Sequence, residues 1–219
     1  MVLSNTAPRC KPHARLGIMG GTFDPIHFGH LCCAEQVKSA CGLDAILFLP
    51  AGNPVFKLNQ DVTPGADRLA MCQLALASNQ DFFLSSMEID REGVTYTVDT
   101  LCELRTLYGP DTELCWIMGA DAAAGLPLWK DVERIAAMAT ILLVDRPGSE
   151  AALRLLPHLA GIGDMTIDIV QTTLLDISST DIRNRVRGGQ TIRYLVPDDV
   201  RDYIFDHQLY LGNTDESFL

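Results

Sequence analysis

Residues 17–30 read "GIMGGTFDPIHFGH", a glycine-rich turn joined to two histidines three positions apart. A dinucleotide fingerprint would need G-x-G-x-x-G here. Glycines at 17, 20, 21 and 29 do not have that spacing. A zinc site could draw on His27, His30 and Asp24, but the other histidines, His13, His158 and His207, form no second compact ligand motif. The histidines could also be satisfied by core contacts alone. A fourth reading uses the glycines and the histidines together. The apolar run "RLGIMG" (15–20) before the turn reads as a buried strand, and "HLCCAEQVKSACG" (30–42) after it reads as a helix stopped by Gly42. The turn therefore links a strand end to a helix N-terminus, which offers unpaired N–H groups and a partial positive charge. Two imidazoles on one side of that first turn can hold an anion spread over several oxygens. That suits phosphoryl oxygens in a nucleotidyl-transfer transition state, where the protein mainly positions reactants and stabilises charge.

Strand and helix patterns alternate outward from this point. Strands are expected at 44–50, 82–89, 113–119, 140–145 and 165–172. Helices are expected at 63–79 (Thr63 as N-cap, Leu69, Cys72 and Leu76 inward), 97–109 (capped by Thr97, closed by Gly109), 131–139, 178–189 and 197–210. The strands are apolar on both faces, as in a parallel sheet covered by helices. The expected class is α/β, a Rossmann-like parallel sheet with helices on both faces. Residues 146–164 read least clearly, because Pro157 interrupts a helical pattern. The polar start of the chain is expected as a mobile arm (1–14) ahead of a single domain (15–219).

Composition narrows the partners. With 219 residues, 47% of them hydrophobic, the chain can bury a substantial core, and its net charge of −11 argues against nucleic acid as a partner. Seven cysteines at irregular spacing, with no C-x-x-C, read as small buried hydrophobes in a reducing cytoplasm rather than a disulfide framework. No apolar run approaches the roughly 20 residues needed to span a bilayer, so no membrane partner is expected. Homo-oligomerisation is left open.

A second constellation lies about 150 residues later. In "ISSTDIRNRV" (177–186), Ser178, Ser179 and Thr180 supply hydroxyls and a helix cap, and Arg183 falls one turn in. Together they make a second cradle for phosphate. "GGTFDPIHFGH" resembles the H-x-G-H signature of nucleotidyltransferases in its extended form G-x-F-D-P-x-H-x-G-H. The later segment resembles their I-S-S-T-x-I-R. "EIDREGVTYTVDTL" (88–101), with Thr95 where the family has serine, "IMGADAAAGLPLWKD" (117–131), "VDRPG" (144–148) and "YLVPDDVRDYI" (194–204) resemble further segments of the nicotinate-nucleotide adenylyltransferase family. The resemblance spans roughly residues 15–212.

That resemblance implies a nucleotidyltransferase-type fold and adenylyl transfer from ATP, accompanied by Mg²⁺ held by the phosphates, to nicotinate mononucleotide. It implies catalytic roles for His27 and His30. It implies contacts to ATP and its phosphates from Gly20, Gly21, the backbone of Thr22 and Phe23, Lys57, Arg146, Ser178, Ser179, Thr180 and Arg183. Thr97, the backbone at Val98, Asp121 and Trp129 would meet the pyridine nucleotide, and no protein-held metal is implied. The chain departs from the family at "NPVFK" (53–57), where Pro-His-Lys is common, so no loop-histidine role carries over and Phe56 is left to face the ligand or a partner subunit. The same chemistry on nicotinamide mononucleotide or another phosphate acceptor, a non-catalytic nucleotide-binding module and a zinc hydrolase are the alternatives.

Overall fold

The computed structural model describes residues 14–54, 62–146, 148–173 and 175–211. The expected N-terminal arm, apart from Ala14, and both Phe56 and Lys57 lie outside the described residues. The chain runs β1 (Arg15–Gly21), α1 (Phe28–Cys41), β2 (Ala45–Pro50), β3 (Asn53–Pro54), α2 (Gly65–Leu76), β4 (Phe82–Leu84), β5 (Val94–Thr95) and α3 (Thr97–Tyr108). It continues through β6 (Glu113–Gly119), α4 (Ala120–Ala123), a 3₁₀ turn at Leu126–Leu128, α5 (Val132–Met138), β7 (Thr140–Asp145) and α6 (Ala151–Leu159). Then come β8 (Ile167–Gln171), α7 (Ser179–Arg187) and α8 (Asp198–Asp206).

Six strands form one parallel sheet in the order β4-β2-β1-β6-β7-β8. β1 lies at the centre, with Ile18 beside Leu47 of β2 and Trp116 of β6. The order reverses between β1 and β6, which is where parallel sheets open a crevice at their carboxyl ends. All six residues of β2 are buried, as expected of a strand covered on both faces. Side chains of alternate strand residues feed two apolar clusters. One packs α1, α2, α7 and α8 on one face, and the other packs α3, α5 and α6 on the opposite face. The α/β class and parallel sheet match the sequence expectation.

Several local expectations are corrected. Thr63 does not cap α2. Its N–H bonds Asp24 and its carbonyl accepts from Arg68, so the helix starts at Gly65 instead. The inner face of α2 includes buried Arg68, Met71, Cys72, Ala75 and Leu76, while Leu69 is only half-buried. Tyr96, not Thr97, stands at the N-cap of α3. The strand expected at 82–89 stops at Leu84, because Ser86 and Asp90 close a turn on each other (2.6 Å between side chains). The last two helices end two and four residues earlier than expected, at Arg187 and Asp206. In the stretch that read least clearly, α6 contains Pro157 without breaking. The carbonyl that Pro157 cannot serve belongs to Leu153, which is exposed to water. Among the cysteines, Cys72 and Cys115 are buried, whereas Cys32, Cys33, Cys41 and Cys102 are half-buried; all six are free thiols.

One pairing that periodicity does not reveal shapes the rim of the crevice. β3 and β5 form a two-stranded parallel ribbon, Asn53 beside Val94 and Pro54 beside Thr95. Gly52, just before it, lies so close to the Glu88 backbone that a Cβ would stand 2.0 Å from the Glu88 carbonyl oxygen. Gly52→Ala is therefore expected to cost about 1–3 kcal/mol of stability. Gly161→Ala, where a Cβ meets nothing within 4 Å, should stay within about 0.5 kcal/mol of the wild type. Denaturant unfolding of the two variants checks the contrast.

Candidate active site

The carboxyl ends of β1, β6 and β7 open into a cleft of about 890 Å³. Gly20, Gly21 and Thr22 line its floor beside His27 and His30. α1 begins at Phe28, two residues earlier than its apolar pattern indicates. His27 is its N-cap, in extended conformation, and His30 falls at the third helical position. Gly29 lies between them, and a Cβ there would come within 3.0 Å of His27 Nδ1. A side chain at this position would crowd the imidazole out of its place.

The two imidazoles stack, with centroids 3.7 Å apart and planes 23° apart. His30 Nδ1 accepts the backbone N–H of His27 (3.3 Å), so the proton of neutral His30 resides on Nε2. The Nδ1 of His27 is buried without a hydrogen-bond partner. Burial pushes the His27 imidazole down to about 4. Burial, and then the neighbouring His27, push His30 well below the ordinary histidine range. At neutral pH the free protein presents two neutral rings.

The turn between β1 and α1 is held from several directions. Asp24, 3% exposed, accepts the Tyr210 hydroxyl on Oδ1 (2.7 Å) and the Thr63 N–H on Oδ2 (3.2 Å). Both oxygens of the third candidate zinc ligand are thus committed. Phe23, with φ 49°, buries its ring edge-on against His30 (5.0 Å) and against Phe48 (5.8 Å). Buried Arg68 donates to the carbonyls of Thr63 (2.9 Å) and Thr22 (2.8 Å).

The second sequence cradle meets the first. Ser179 Oγ donates to the Pro25 carbonyl (2.9 Å), and Arg183 donates to the Asp24 carbonyl (2.7 Å) and the Thr180 hydroxyl (3.3 Å). Ser178 caps α7 by accepting the Asp181 N–H. The side chains of Ser179 and Arg183 therefore brace the turn between β1 and α1, while Ser178 and Thr180 are exposed. The segment just before them, Leu175, Asp176 and Ile177, lines the cleft.

Of the remaining expected contacts, Arg146, Thr97, Asp121 and half-buried Trp129 line the cleft. Asp121 is in the first turn of α4 and is not its cap; Gly119 is. The Val98 side chain is fully buried in the core, which leaves its backbone at the first turn of α3.

The cleft also takes residues that sequence reasoning passed over. Trp116 projects from β6 against Gly20, where a Cβ would lie 3.0 Å from its ring. Glu88, 8% exposed, accepts the Thr100 hydroxyl (2.7 Å), and burial raises its carboxyl above the usual range. Asp145 is fixed by the backbone N–H groups of Arg146 (2.8 Å) and Ala152 (2.9 Å). Lys130 lines the cleft beside Trp129. Cys33 lines it too, but burial pushes its thiol up to about 11, which leaves it a poor nucleophile. Trp116 and Glu88 sit inside runs that read simply as strand, and Arg68 inside one that reads simply as helix. Lys130, next to Trp129 in 117–131, and Glu88, at the start of 88–101, both lie in segments that resemble the family, which was the usable signal.

The depressed histidines couple folding to pH. With an unfolded value near 6.5 and a folded value of about 4, His27 binds fewer protons when folded, so stability rises with pH across that window and is lost on acidification through it. His27→Asn should flatten this slope between pH 6.5 and 4 relative to the wild type, as read from melting temperatures. Parallel curves for the two proteins would mean that His27 is not buried neutral.

The cytidylyltransferase-like family model matches residues 18–185. A probable nicotinate-nucleotide adenylyltransferase of Thermoanaerobacter sp. (strain X514) is 45% identical over 199 residues, covering 90% of this chain and 94% of that protein. One of Corynebacterium kroppenstedtii is 47% identical over 199 residues, covering 91% and 92%. The fold is shared with the solved nicotinic acid mononucleotide adenylyltransferase of Plasmodium falciparum complexed with NaAD, at a TM-score of 0.70 and 19% identity, covering 90% of this chain and 98% of that one. With its histidine pair at the strand crossover and its relatives matched over nine-tenths of its length, the chain belongs to the nicotinate-nucleotide adenylyltransferase family of nucleotidyltransferases.

Proposed function

We propose that this chain transfers AMP from ATP to nicotinate mononucleotide, giving deamido-NAD and pyrophosphate in NAD biosynthesis. The observation that carries the reading is the stacked pair of neutral imidazoles at the α1 N-terminus, facing a cleft at the sheet's crossover. The mononucleotide phosphate attacks the α-phosphorus of ATP in line, a new P–O bond forms, and the bond to the β-phosphoryl oxygen breaks. A phosphate monoester is largely dianionic near neutral pH, so the step needs no protein nucleophile or strong base. His30 Nε2–H and His27 donate to the α- and β-phosphoryl oxygens as charge shifts toward the leaving pyrophosphate. Gly20, Gly21 and the backbone of Thr22 and Phe23 leave room for the phosphates to approach the α1 N-terminus. The α7 N-terminus with Ser178 and Thr180 extends this cradle toward the triphosphate tail, and Ser179 and Arg183 keep the two cradles in register. Arg146 adds positive charge on the ATP side, and Lys57 is the phosphate contact that the family resemblance implies.

The acceptor ring is placed by Trp129, which stacks on it, and by Thr97 and the Val98 backbone, with Asp121 on ribose hydroxyls. ATP enters as its Mg²⁺ complex. The carboxylates of Asp24 and Asp145 have their oxygens engaged by protein donors, which fits a cation carried by phosphates and water rather than by a protein cage. The cation offsets part of the triphosphate charge. Among the described residues no helix is long and apolar enough to cross a membrane. The free thiols fit a reducing cytoplasm.

Pyrophosphate release with ATP and a panel of phosphate acceptors tests the activity. Turnover with nicotinate mononucleotide is expected, and nucleotide binding without pyrophosphate release would instead support a non-catalytic module. His30→Ala should lower kcat by at least about 10²–10³-fold while the protein stays folded. Near-normal turnover in that variant would remove the proposed role.

A further inference from the structure

Lys130, at the acceptor end of the cleft, belongs to an ion pair that adenylyl transfer does not use. Lys130 Nζ lies 3.1 Å from Asp99 Oδ2 and 4.5 Å from the centroid of the Tyr96 ring. Tyr96 is the N-cap of α3, and Asp99 is in its first turn. Tyr96, Thr97, Trp129 and Lys130 all line the cleft. Among the described lining residues, Lys130 and Arg146 are the two with a fixed positive side chain, and Arg146 stands beyond β7 next to Asp145. Lys130 is therefore the described cation on the Tyr96–Thr97 wall.

Nicotinate and nicotinamide mononucleotides differ at the ring substituent by one negative charge. A first-turn carboxylate is favourable for an isolated helix, but Asp99, which does not itself line the cleft, also places negative charge two residues on from Thr97, behind the wall where a ring carboxylate would dock. Lys130 cancels it. With the pair intact, the α3 N-terminus faces the ring with its own positive end and no net opposing charge. Without Lys130, Asp99 stands unbalanced and repels a carboxylate while leaving a neutral amide little affected.

We propose that Lys130, by neutralising Asp99 at the first turn of α3, makes the acceptor site select a carboxylated pyridine over its amide. The inference rests on the adenylyl-transfer reading above. Both side chains are about two-fifths exposed (43% and 41%), so water screens part of the effect. A difference of one charge at such a distance gives a change in selectivity on the order of ten-fold.

The test is the ratio of kcat/KM for nicotinate mononucleotide to that for nicotinamide mononucleotide, measured by pyrophosphate release. Lys130→Met should lower this ratio on the order of ten-fold, mostly through KM for the carboxylated acceptor. Lys130→Arg, which keeps the charge, should retain it. Asp99→Asn combined with Lys130→Met should restore most of the ratio, because the unbalanced carboxylate is gone. Equal loss with both acceptors in Lys130→Met would mark a merely structural residue and overturn the proposal. So would a double variant no more selective than Lys130→Met. A wild-type protein that adenylylates neither mononucleotide would instead sink the underlying activity, a result distinct from any of these ratios.

Discussion

The buried carboxylate of Asp24 is the point on which the site's geometry depends. It sits in the turn between β1 and α1, 3% exposed, and its oxygens are met by Tyr210, 186 residues on, and by the Thr63 N–H. Its carbonyl is met by Arg183, and the next carbonyl by Ser179. Two residues earlier, the Thr22 carbonyl accepts from buried Arg68. A buried carboxylate is tolerable only when its oxygens are hydrogen-bonded, so these distant segments must all arrive for the turn to be stable. Once they arrive, His27 is fixed at the N-cap of α1. The otherwise costly burial of an imidazole with an unpartnered Nδ1 then becomes affordable to the fold as a whole.

Electrostatics gives that arrangement its purpose. The chain carries a net charge of −11 and is proposed to bind two phosphate-bearing substrates. The described residues lining the cleft include Glu88, Asp121, Asp145 and Asp176 against only Lys130 and Arg146. Among the described residues, the cleft has no excess of fixed positive side chains with which to recognise phosphate. On the proposed reading, recognition would rest on helix N-termini, backbone N–H groups and neutral imidazole donors, with a cation arriving on the ATP itself. Several acids are also muted. Asp145 is neutralised in effect by the amides around it, and burial favours the protonated form of Glu88.

Much of this was legible in the sequence, and the reason is physical. Interior parallel strands must be apolar on both faces, so β2, β6 and β7 stand out as short apolar runs and the sheet can be inferred from their alternation with helices. The histidine turn was legible because a glycine-rich strand end followed by a helix start is a local feature. Features fixed by long-range contacts were not. Thr63 looks like a helix cap in isolation and is drawn away by Asp24 and Arg68, which local pattern cannot show. Arg68 reads as a helix surface residue until the carbonyls of residues 22 and 63 converge on it. The β3–β5 ribbon is two residues long on each side, too short for periodicity to register. Nothing in "SSMEID" marks Glu88 as buried, because its burial depends on the packing of α3.

On the proposed reading, the choice of neutral histidines over lysines or arginines at the centre follows from what adenylyl transfer requires. A permanently charged group would bind the triphosphate strongly before reaction as well as during it, and binding common to both states does not lower the barrier between them. A neutral imidazole offers an N–H dipole to the ground state. As charge gathers on the phosphoryl oxygens, the affinity of the ring for a second proton rises, and its hydrogen bond strengthens with it. The same burial that holds His27 near 4 and His30 well below the ordinary histidine range therefore keeps both rings at the weak end of their range until the reacting charge develops. Stacking one ring on the other adds to this, since two imidazolium ions 3.7 Å apart would repel. At neutral pH, on this reading, it is a phosphoryl group placed against both that draws either ring toward the charged form.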